Sequence, residues 1–300
     1  MEKLVSVVIP TYNRASMLKR AVESLLKQEH RNIEIIIVDD GSEDDTENVI
    51  AEIDDTRIQY IKSEGNNGVS FVRNVGLRHA TGEYIAFLDS DDVFFSNKIK
   101  EQVELYDSLD PRPGMIFTNY WEIGEDKHLA VRGGIPSGFI STNKKFSSEI
   151  KSGPTGWIMT KECFGSVGFF DEDLRTLEDL DYFVRIVNKF PVYFLNKPLA
   201  DKYVHGCSLG GVSNEFAQAT REKLLNKWLP EMKSDKKFLS DFYYVAGKDL
   251  LKILDFRRSA GYLWSSLYFG GFNLRAFRKL LKLYLIWLCN LLLPAKRGKC

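Results

Sequence analysis

Neither a Gly-x-Gly-x-x-Gly nor a Gly-x-x-x-x-Gly-Lys-Ser/Thr run occurs anywhere in this 300-residue chain. Such runs cradle phosphates on backbone N–H groups, so their absence disfavours dinucleotide-binding and P-loop folds. Cysteine is scarce. Cys163, Cys207, Cys289 and Cys300 share no Cys-x-x-Cys spacing, which excludes a zinc knuckle and a thioredoxin-like centre and fits a reducing compartment. No stretch reaches the ~18 uncharged apolar residues of a spanning helix. The opening Leu4-Val5-Ser6-Val7-Val8-Ile9, closed by Pro10, is too short and too β-branched for a signal peptide's apolar region, so no secretory signal is expected. Overall charge is absent too, with 41 basic and 41 acidic residues, and no nucleic-acid partner is implied. There is no internal repeat and no low-complexity segment. What remains is 44% hydrophobic and 27% charged, enough to bury a core in one large α/β domain with an appendage.

The charge balance hides an asymmetry. Residues 251–300 hold ten Lys/Arg and one acid, Asp255, while residues 1–250 carry 31 basic and 40 acidic residues. An acidic body with a basic, apolar tail suggests two separate jobs.

In the first hundred residues short apolar runs alternate with helical periodicity. Strands are expected at residues 4–9, 33–38, 58–61 and 84–88. Helices are expected after Asn13, weakly around Val49-Ile50 with Ser42 as its opening residue, at 68–80 and at 96–109. Such alternation means right-handed crossovers and a parallel sheet, whose ligands sit beyond the strands' carboxyl ends. Past those ends stand Thr11-Tyr12-Asn13, Asp39-Asp40 and Asp89-Ser90-Asp91-Asp92. Residues 111–152 are less regular, with a strand at 115–119 and a long loop or hairpin over 124–152. Another short element starts at Ile158-Met159. A turn at Gly168-Phe169-Phe170-Asp171 precedes an amphipathic helix over 178–189. A last strand is expected at 199–205, and helices from Asn214 onward, with breaks near Pro230, Asp255 and Gly270-Gly271.

Each chemical reading has a plainer alternative. Asp39 precedes a glycine turn, where its carboxylate could accept from a base or a ribose, or merely end a strand. Asp89-Ser90-Asp91 gathers carboxylates that raise one another's pKa unless a cation relieves them, and oxygen donors favour Mg²⁺ or Mn²⁺. The alternative is a helix cap with Asp92 stabilised by the dipole. In Glu178-Asp179-Leu180-Asp181 a carboxylate on a rigid first turn suits a general base. Against that, Thr176 with Asp179 matches a capping box, and Asp181 with Arg185 a surface ion pair. His205 stands alone after a strand.

Taken in order, Ser6-Val7-Val8-Ile9-Pro10-Thr11-Tyr12-Asn13-Arg14, Val38-Asp39-Asp40-Gly41-Ser42, Asn67-Gly68-Val69-Ser70 with Arg73-Asn74, Phe87-Leu88-Asp89-Ser90-Asp91-Asp92 and Gly168-Phe169-Phe170-Asp171-Glu172 with Glu178-Asp179-Leu180-Asp181 resemble the motifs of the inverting family 2 glycosyltransferases. The resemblance covers roughly residues 5–210. It implies the GT-A fold, a Rossmann-like, mostly parallel sheet flanked by helices, over residues 1–212, with a nucleotide-sugar half to residue 100 and an acceptor half after it. It implies a nucleotide diphosphate sugar donor, most often a UDP-sugar, and a Mn²⁺ or Mg²⁺ cofactor. Pro10, Thr11, Tyr12, Arg14, Asp39, Asn67, Arg73, Asp89 and Ser90 would then contact the donor. Asp91, with His205, would hold the metal. Asp179 would be the general base, and Trp157, Glu178 and Asp181 would line the acceptor side. A glycan or lipid-linked sugar would be the acceptor, and a place in the cytoplasm at the inner face of the membrane is expected.

Residues 213–300 read as a helical region. Within 273–299, Leu280 to Leu293 is almost wholly apolar and flanked by Arg275, Arg278, Lys279, Lys296, Arg297 and Lys299. It is either a packed core helix or an interfacial segment seeking anionic lipid. Two other functions compete with transfer. A non-catalytic sugar-nucleotide-binding adaptor would have favoured loss of Asp91 or Asp179, and neither is lost. A nucleotidyltransferase would need a glycine-rich start where Pro10-Thr11-Tyr12-Asn13 stands.

Overall fold

The structure, a computed structural model, describes residues 2–124, 128–129, 135–141, 153–204, 214–271 and 273–292, with side chains at 128–129 and 286–292 left aside. These divide into two units, one up to residue 204 and one from residue 214. The first is built on a ten-stranded mixed sheet. Its strands are β1 (Val5–Thr11), β2 (Ile33–Asp39), β3 (Ile58–Lys62), β4 (Tyr84–Phe87), β5 (Val93–Phe94), β6 (Met115–Ile123), β7 (His128–Leu129), β8 (Gly138–Phe139), β9 (Trp157–Thr160) and β10 (Val192–Tyr203). The main path runs β3-β2-β1-β4-β9-β6-β10-β5. The long ladders are parallel, and the antiparallel ones span two or three residue pairs. One departure from the expected parallel order is central. β9 enters antiparallel between β4 and β6, a short strand that no helical crossover announces.

Strand alternation sorts the side chains onto two faces. Val5, Val7 and Ile9 pack with α1 (Ala15–Leu26) and α4 (Lys98–Ser108), through Leu18, Val22, Ile99 and Val103. Val8, Ile85 and Phe87 face the other way, toward α3 (Val69–His79), α5 (Lys161–Val167) and α6 (Glu178–Val187). At Gly76 α3 approaches so closely that a Cβ would lie 2.3 Å from Val8 Cγ1.

Two local expectations are corrected. The short helix α2 (Thr46–Ala51) begins at Thr46, not at a Ser42 cap; Asp44 accepts from the Thr46 amide, and Ser42 serves Asp39 instead. The capping box at Thr176 and Asp179 does not form, because Leu177 adopts a left-handed φ of 57° as the residue before α6.

The second unit comprises α7 (Asn214–Met232), α8 (Lys236–Lys252), α9 (Phe256–Gly270) and α10 (Leu274–Leu292). Pro230 lies inside α7, two residues short of its end. Leu263, Ala276 and Leu283 form a core with Tyr244, Leu251 and Leu267 around them. Among the described residues no helix is long and apolar enough to cross a membrane.

Candidate active site

The ladder between β1 and β4 ends at the Val8–Phe87 pair. Pro10, which has no N–H, stands where the next bond would come, so the strands part there. In the order β3-β2-β1-β4 this is the point where successive connections leave in opposite directions, the crevice in which open α/β sheets bind ligands. Tyr12 lies at its rim, 39% exposed. Thr11 is buried, and its Oγ1 has no hydrogen-bond partner among the described residues.

Asp39, opposite Thr11 across the ladder, is fully buried. Its Oδ1 accepts from the Ser42 amide at 2.8 Å and the Ser42 hydroxyl at 2.6 Å, and its Oδ2 accepts from Tyr60. Burial, then Asp39 itself, holds the Tyr60 phenol well above its ordinary pKa, so Tyr60 remains a donor. Three donors leave this carboxylate about one free lone-pair position. Asp40 serves the neighbouring loop instead. It accepts from the Asn67 amide at 2.8 Å and the Gly68 amide at 2.7 Å, closing the chain ahead of α3. The Asn67 side-chain amide donates to the Glu64 and Gly65 carbonyls and so helps shape this loop.

On the other side of the crevice, α3 docks the segment leading into α6. Asn74 accepts from the Phe170 amide and donates to the Phe170 carbonyl, and Ser70 donates to the Leu174 carbonyl. This anchoring sets Arg73 between two carboxylates. Its guanidinium, buried, donates to Asp89 Oδ1 at 2.8 Å and to Glu178 Oε1 at 2.6 Å. Arg73 Nε has no partner among the described residues. The next carboxylate, Asp179, is half-buried and accepts from the Leu180 amide at 2.8 Å. Burial, then the charge on Glu178, pushes Asp179 up to about 6, against the pull of Arg73.

The Asp89–Asp92 turn is held from below. Thr155 receives the Asp89 amide and donates to Asp92 Oδ2 at 2.7 Å, while Asp92 Oδ1 accepts from the Tyr203 amide. Asp92 is therefore a strut, not a helix cap. Burial and the charge of Asp89 push it up to about 8. Burial raises Asp89 as well, but Arg73, helped by Lys202 and Arg14, holds it below the usual carboxylate range. Ser90 is buried, and Asp91 pairs with Arg14 while its carbonyl accepts from Arg20. Lys202, on β10, is a participant the sequence did not suggest. Burial disfavours its charge, yet Asp89, Tyr120, Asp92 and Asp179 together keep it above an ordinary lysine.

Two residues expected on the acceptor side lie elsewhere. Trp157 is wholly buried under α6, stacked with Tyr182 at 6.3 Å, because β9 is covered on both faces. Asp181 is fully buried and pairs with Arg185 at 2.9 Å, and Arg185 also holds the Val167 and Phe169 carbonyls; the expected pair exists, but inside the protein and not on its surface. His205 lies outside the described residues. Among those described, no group of three or more His, Cys, Asp or Glu side chains is arranged to hold a metal by itself. Asp89 and Asp91 nevertheless offer the oxygen donors that Mg²⁺ and Mn²⁺ prefer. Mg²⁺ commonly takes only one or two carboxylates together with substrate phosphates, so the residues present fit such an ion.

A mostly parallel sheet with an acidic crevice at its switch point and C-terminal helices is the architecture of the GT-A fold. The family model for glycosyl transferase family 2 matches residues 6–172, and the chain belongs to that family. An uncharacterized glycosyltransferase of Rickettsia typhi is 30% identical over 213 residues, 67% of this chain and 64% of its own. The UDP-Glc:α-D-GlcNAc-diphosphoundecaprenol β-1,3-glucosyltransferase WfaP of Escherichia coli is 45% identical over 131 residues, 44% of this chain and 50% of its own. The chain spans from about a third to just under two thirds of the length of the first curated relatives it matches. Among solved structures, residues 1–349 of S. aureus TarS in complex with UDP-GlcNAc superpose with a TM-score of 0.64 at 16% identity, covering 95% of this chain and 91% of that one. The mannosyltransferase PcManGT of Pyrobaculum calidifontis, in complex with GDP-Man and Mn²⁺, gives 0.61 at 18% identity, covering 95% and 80%.

Proposed function

We propose that the chain transfers a sugar from a UDP-sugar to a hydroxyl of a lipid-diphosphate-linked sugar, with inversion at the anomeric carbon. The observation that carries this reading is the Arg73 bridge. One buried guanidinium joins Asp89, at the strand end that would face a donor diphosphate, to Glu178, beside a carboxylate raised to about 6. A carboxylate so raised is basic enough to take a hydroxyl proton and still ionised at neutral pH. Asp179 removes the acceptor proton as the acceptor oxygen bonds to C1. The bond from C1 to the diphosphate oxygen breaks, and its electron pair leaves with UDP. One displacement inverts C1 and needs no enzyme nucleophile.

On the donor side, the exposed Tyr12 ring, the unpartnered Thr11 Oγ1 and the remaining acceptor position on Asp39 support nucleoside binding against β1 and β2. Arg73 Nε and Lys202 supply positive charge where a leaving diphosphate would gain negative charge. Asp89 and Asp91, with His205, would hold Mg²⁺ or Mn²⁺, which when bound neutralises the departing diphosphate. Asn67, Trp157 and Asp181 have no direct part in this scheme. WfaP's activity toward a diphosphoundecaprenol-linked acceptor supports an acceptor of that class and a working position at the inner face of the cytoplasmic membrane. In this reading residues 1–212 are catalytic and the helical region 213–300, through 273–299, meets the membrane.

The test is a panel of UDP-, GDP- and dTDP-sugars with Mn²⁺ or Mg²⁺ and a polyprenyl-diphosphate GlcNAc acceptor, read by mass spectrometry. The expected product carries one added sugar from a UDP donor. Failure to bind or turn over any donor would contradict the proposal.

A further inference from the structure

The helical unit carries two features that the transfer chemistry does not use, and they adjoin. The first is an open pocket of about 710 Å³ between the start of α8 and the junction of α9 with α10. Lys236, Lys237, Arg275 and Arg278 line it, with Asp241 as its one acid. None of the four cations has an ion-pair partner among the described residues. The helix ends do not supply the attraction: Asp235 already caps α8 through the Phe238 amide, and Asn273 accepts from the amides of Arg275 and Ala276. Side-chain charge is what the pocket offers, and its chemistry suits a phosphate.

The second feature is a stripe on α10. Leu274, Phe277, Leu281, Tyr284 and Leu285 are all exposed, between 43% and 55%, while Ala276 and Leu283 on the opposite side are buried. At helical spacing the five share one face. Arg275, Arg278, Lys279 and Lys282 run along one flank of that face. Leu274 belongs to both features, since it lines the pocket and opens the stripe. A core helix would bury these five residues. A basic flank beside an exposed apolar face is instead the pattern of a helix lying in a membrane interface.

We propose that this face docks on an anionic phospholipid bilayer, with a lipid phosphate held in the pocket between Lys236, Lys237, Arg275 and Arg278 while the Leu274 to Leu285 stripe enters the acyl boundary. This deepens the membrane-side reading given above. Four cations with no ion-pair partner among the described residues call for net negative charge, which selects anionic lipid over a zwitterionic surface, whose phosphates are neutralised by choline, or a second copy of this equally basic helix.

The experiment is flotation of the full chain with vesicles of phosphatidylglycerol and phosphatidylcholine, or of phosphatidylcholine alone. Binding is expected to the mixed vesicles only. Each cation near an anionic surface contributes about fivefold in affinity. Arg275→Ala with Arg278→Ala should therefore weaken binding about 25-fold. Lys19→Ala on α1 with Lys27→Ala just after its end changes net charge equally and should weaken binding less than about twofold. Leu281→Gln with Leu285→Gln, at exposed positions, should release the protein even where the pocket is intact. Inorganic phosphate at constant ionic strength should have little effect. Equal loss from both charge pairs, binding to phosphatidylcholine alone, retention by the Arg275/Arg278 variant, or release by phosphate would each overturn the assignment. Flotation involves neither donor nor acceptor. Its failure with transfer intact would defeat this inference alone, and loss of transfer with flotation intact would defeat only the catalytic proposal.

Discussion

Replacing Glu178 with Gln takes one negative charge from beside Asp179 and leaves an amide oxygen that can still accept from Arg73. Asp179 stands at about 6 against an ordinary 3.8, with burial as the largest cause, the Glu178 charge next, and Arg73 opposing both. Glu178→Gln removes the second cause and leaves more of the Arg73 charge to act on Asp179. The Asp179 pKa should fall by on the order of one unit, equivalent to about 1.4 kcal/mol. The sign follows from the role of the base, which works deprotonated. In the unaltered enzyme kcat/KM should fall tenfold per pH unit below about 6. In the variant that limb should move to lower pH, so the ratio of variant to parent activity should rise as pH drops from 7 to 5. Stability should follow the same group. A carboxyl raised on folding favours the folded state most below its unfolded pKa, and that favour is lost as pH rises through about 6. The variant should lose less stability over this window. The assay is kcat/KM against pH from 4.5 to 8 with saturating metal. A limb that stays put, or moves to higher pH, would refute the electrostatic account of Asp179.

Asp91→Ala should abolish the metal dependence of donor binding with the fold intact, measured by titration calorimetry of a UDP-sugar with and without Mn²⁺; unchanged metal dependence would remove Asp91 from the metal site. Lys202→Met should lower kcat about 100-fold with a smaller change in donor KM, since the charge acts on the leaving diphosphate; steady-state kinetics separates the two. Gly76→Ala should destabilise the protein by about 1–3 kcal/mol in urea unfolding, because the new Cβ would lie 2.3 Å from Val8 Cγ1.

The strands at 4–9, 33–38 and 84–88 were legible because strands buried on both faces are written as short continuous apolar runs, and 58–61, a half-buried edge strand, as a short run broken only by Gln59. The observed β1, β2, β3 and β4 match them within one or two residues. The α6 helix was legible from its amphipathic spacing. For β9 a short element at Ile158-Met159 was legible, but not its place or direction, because four residues inserted antiparallel carry no periodicity that states either. The carboxylates of the site were legible as residues but not as partners. Nothing local in the sequence links Arg73 to Glu178 across 105 positions; that contact exists only because Asn74 and Ser70 dock α3 on the segment before α6. Lys202 was missed because an apolar strand pattern draws the eye to Leu199 and Ala200 and passes over the charge that follows. For Asp181 and Arg185 the spacing gave the pair correctly, whereas its burial depended on the turn at 167–169 folding over it.

In the proposed mechanism Asp179 activates the acceptor while the opposite wall of the crevice holds the donor. Asp179→Asn tests it most directly when donor affinity and sugar transfer are measured on the same preparation. Donor affinity should stay within about twofold of the parent, and transfer should fall ~10²–10⁴-fold. Full turnover in Asp179→Asn, or loss of donor binding together with transfer, would contradict that mechanism.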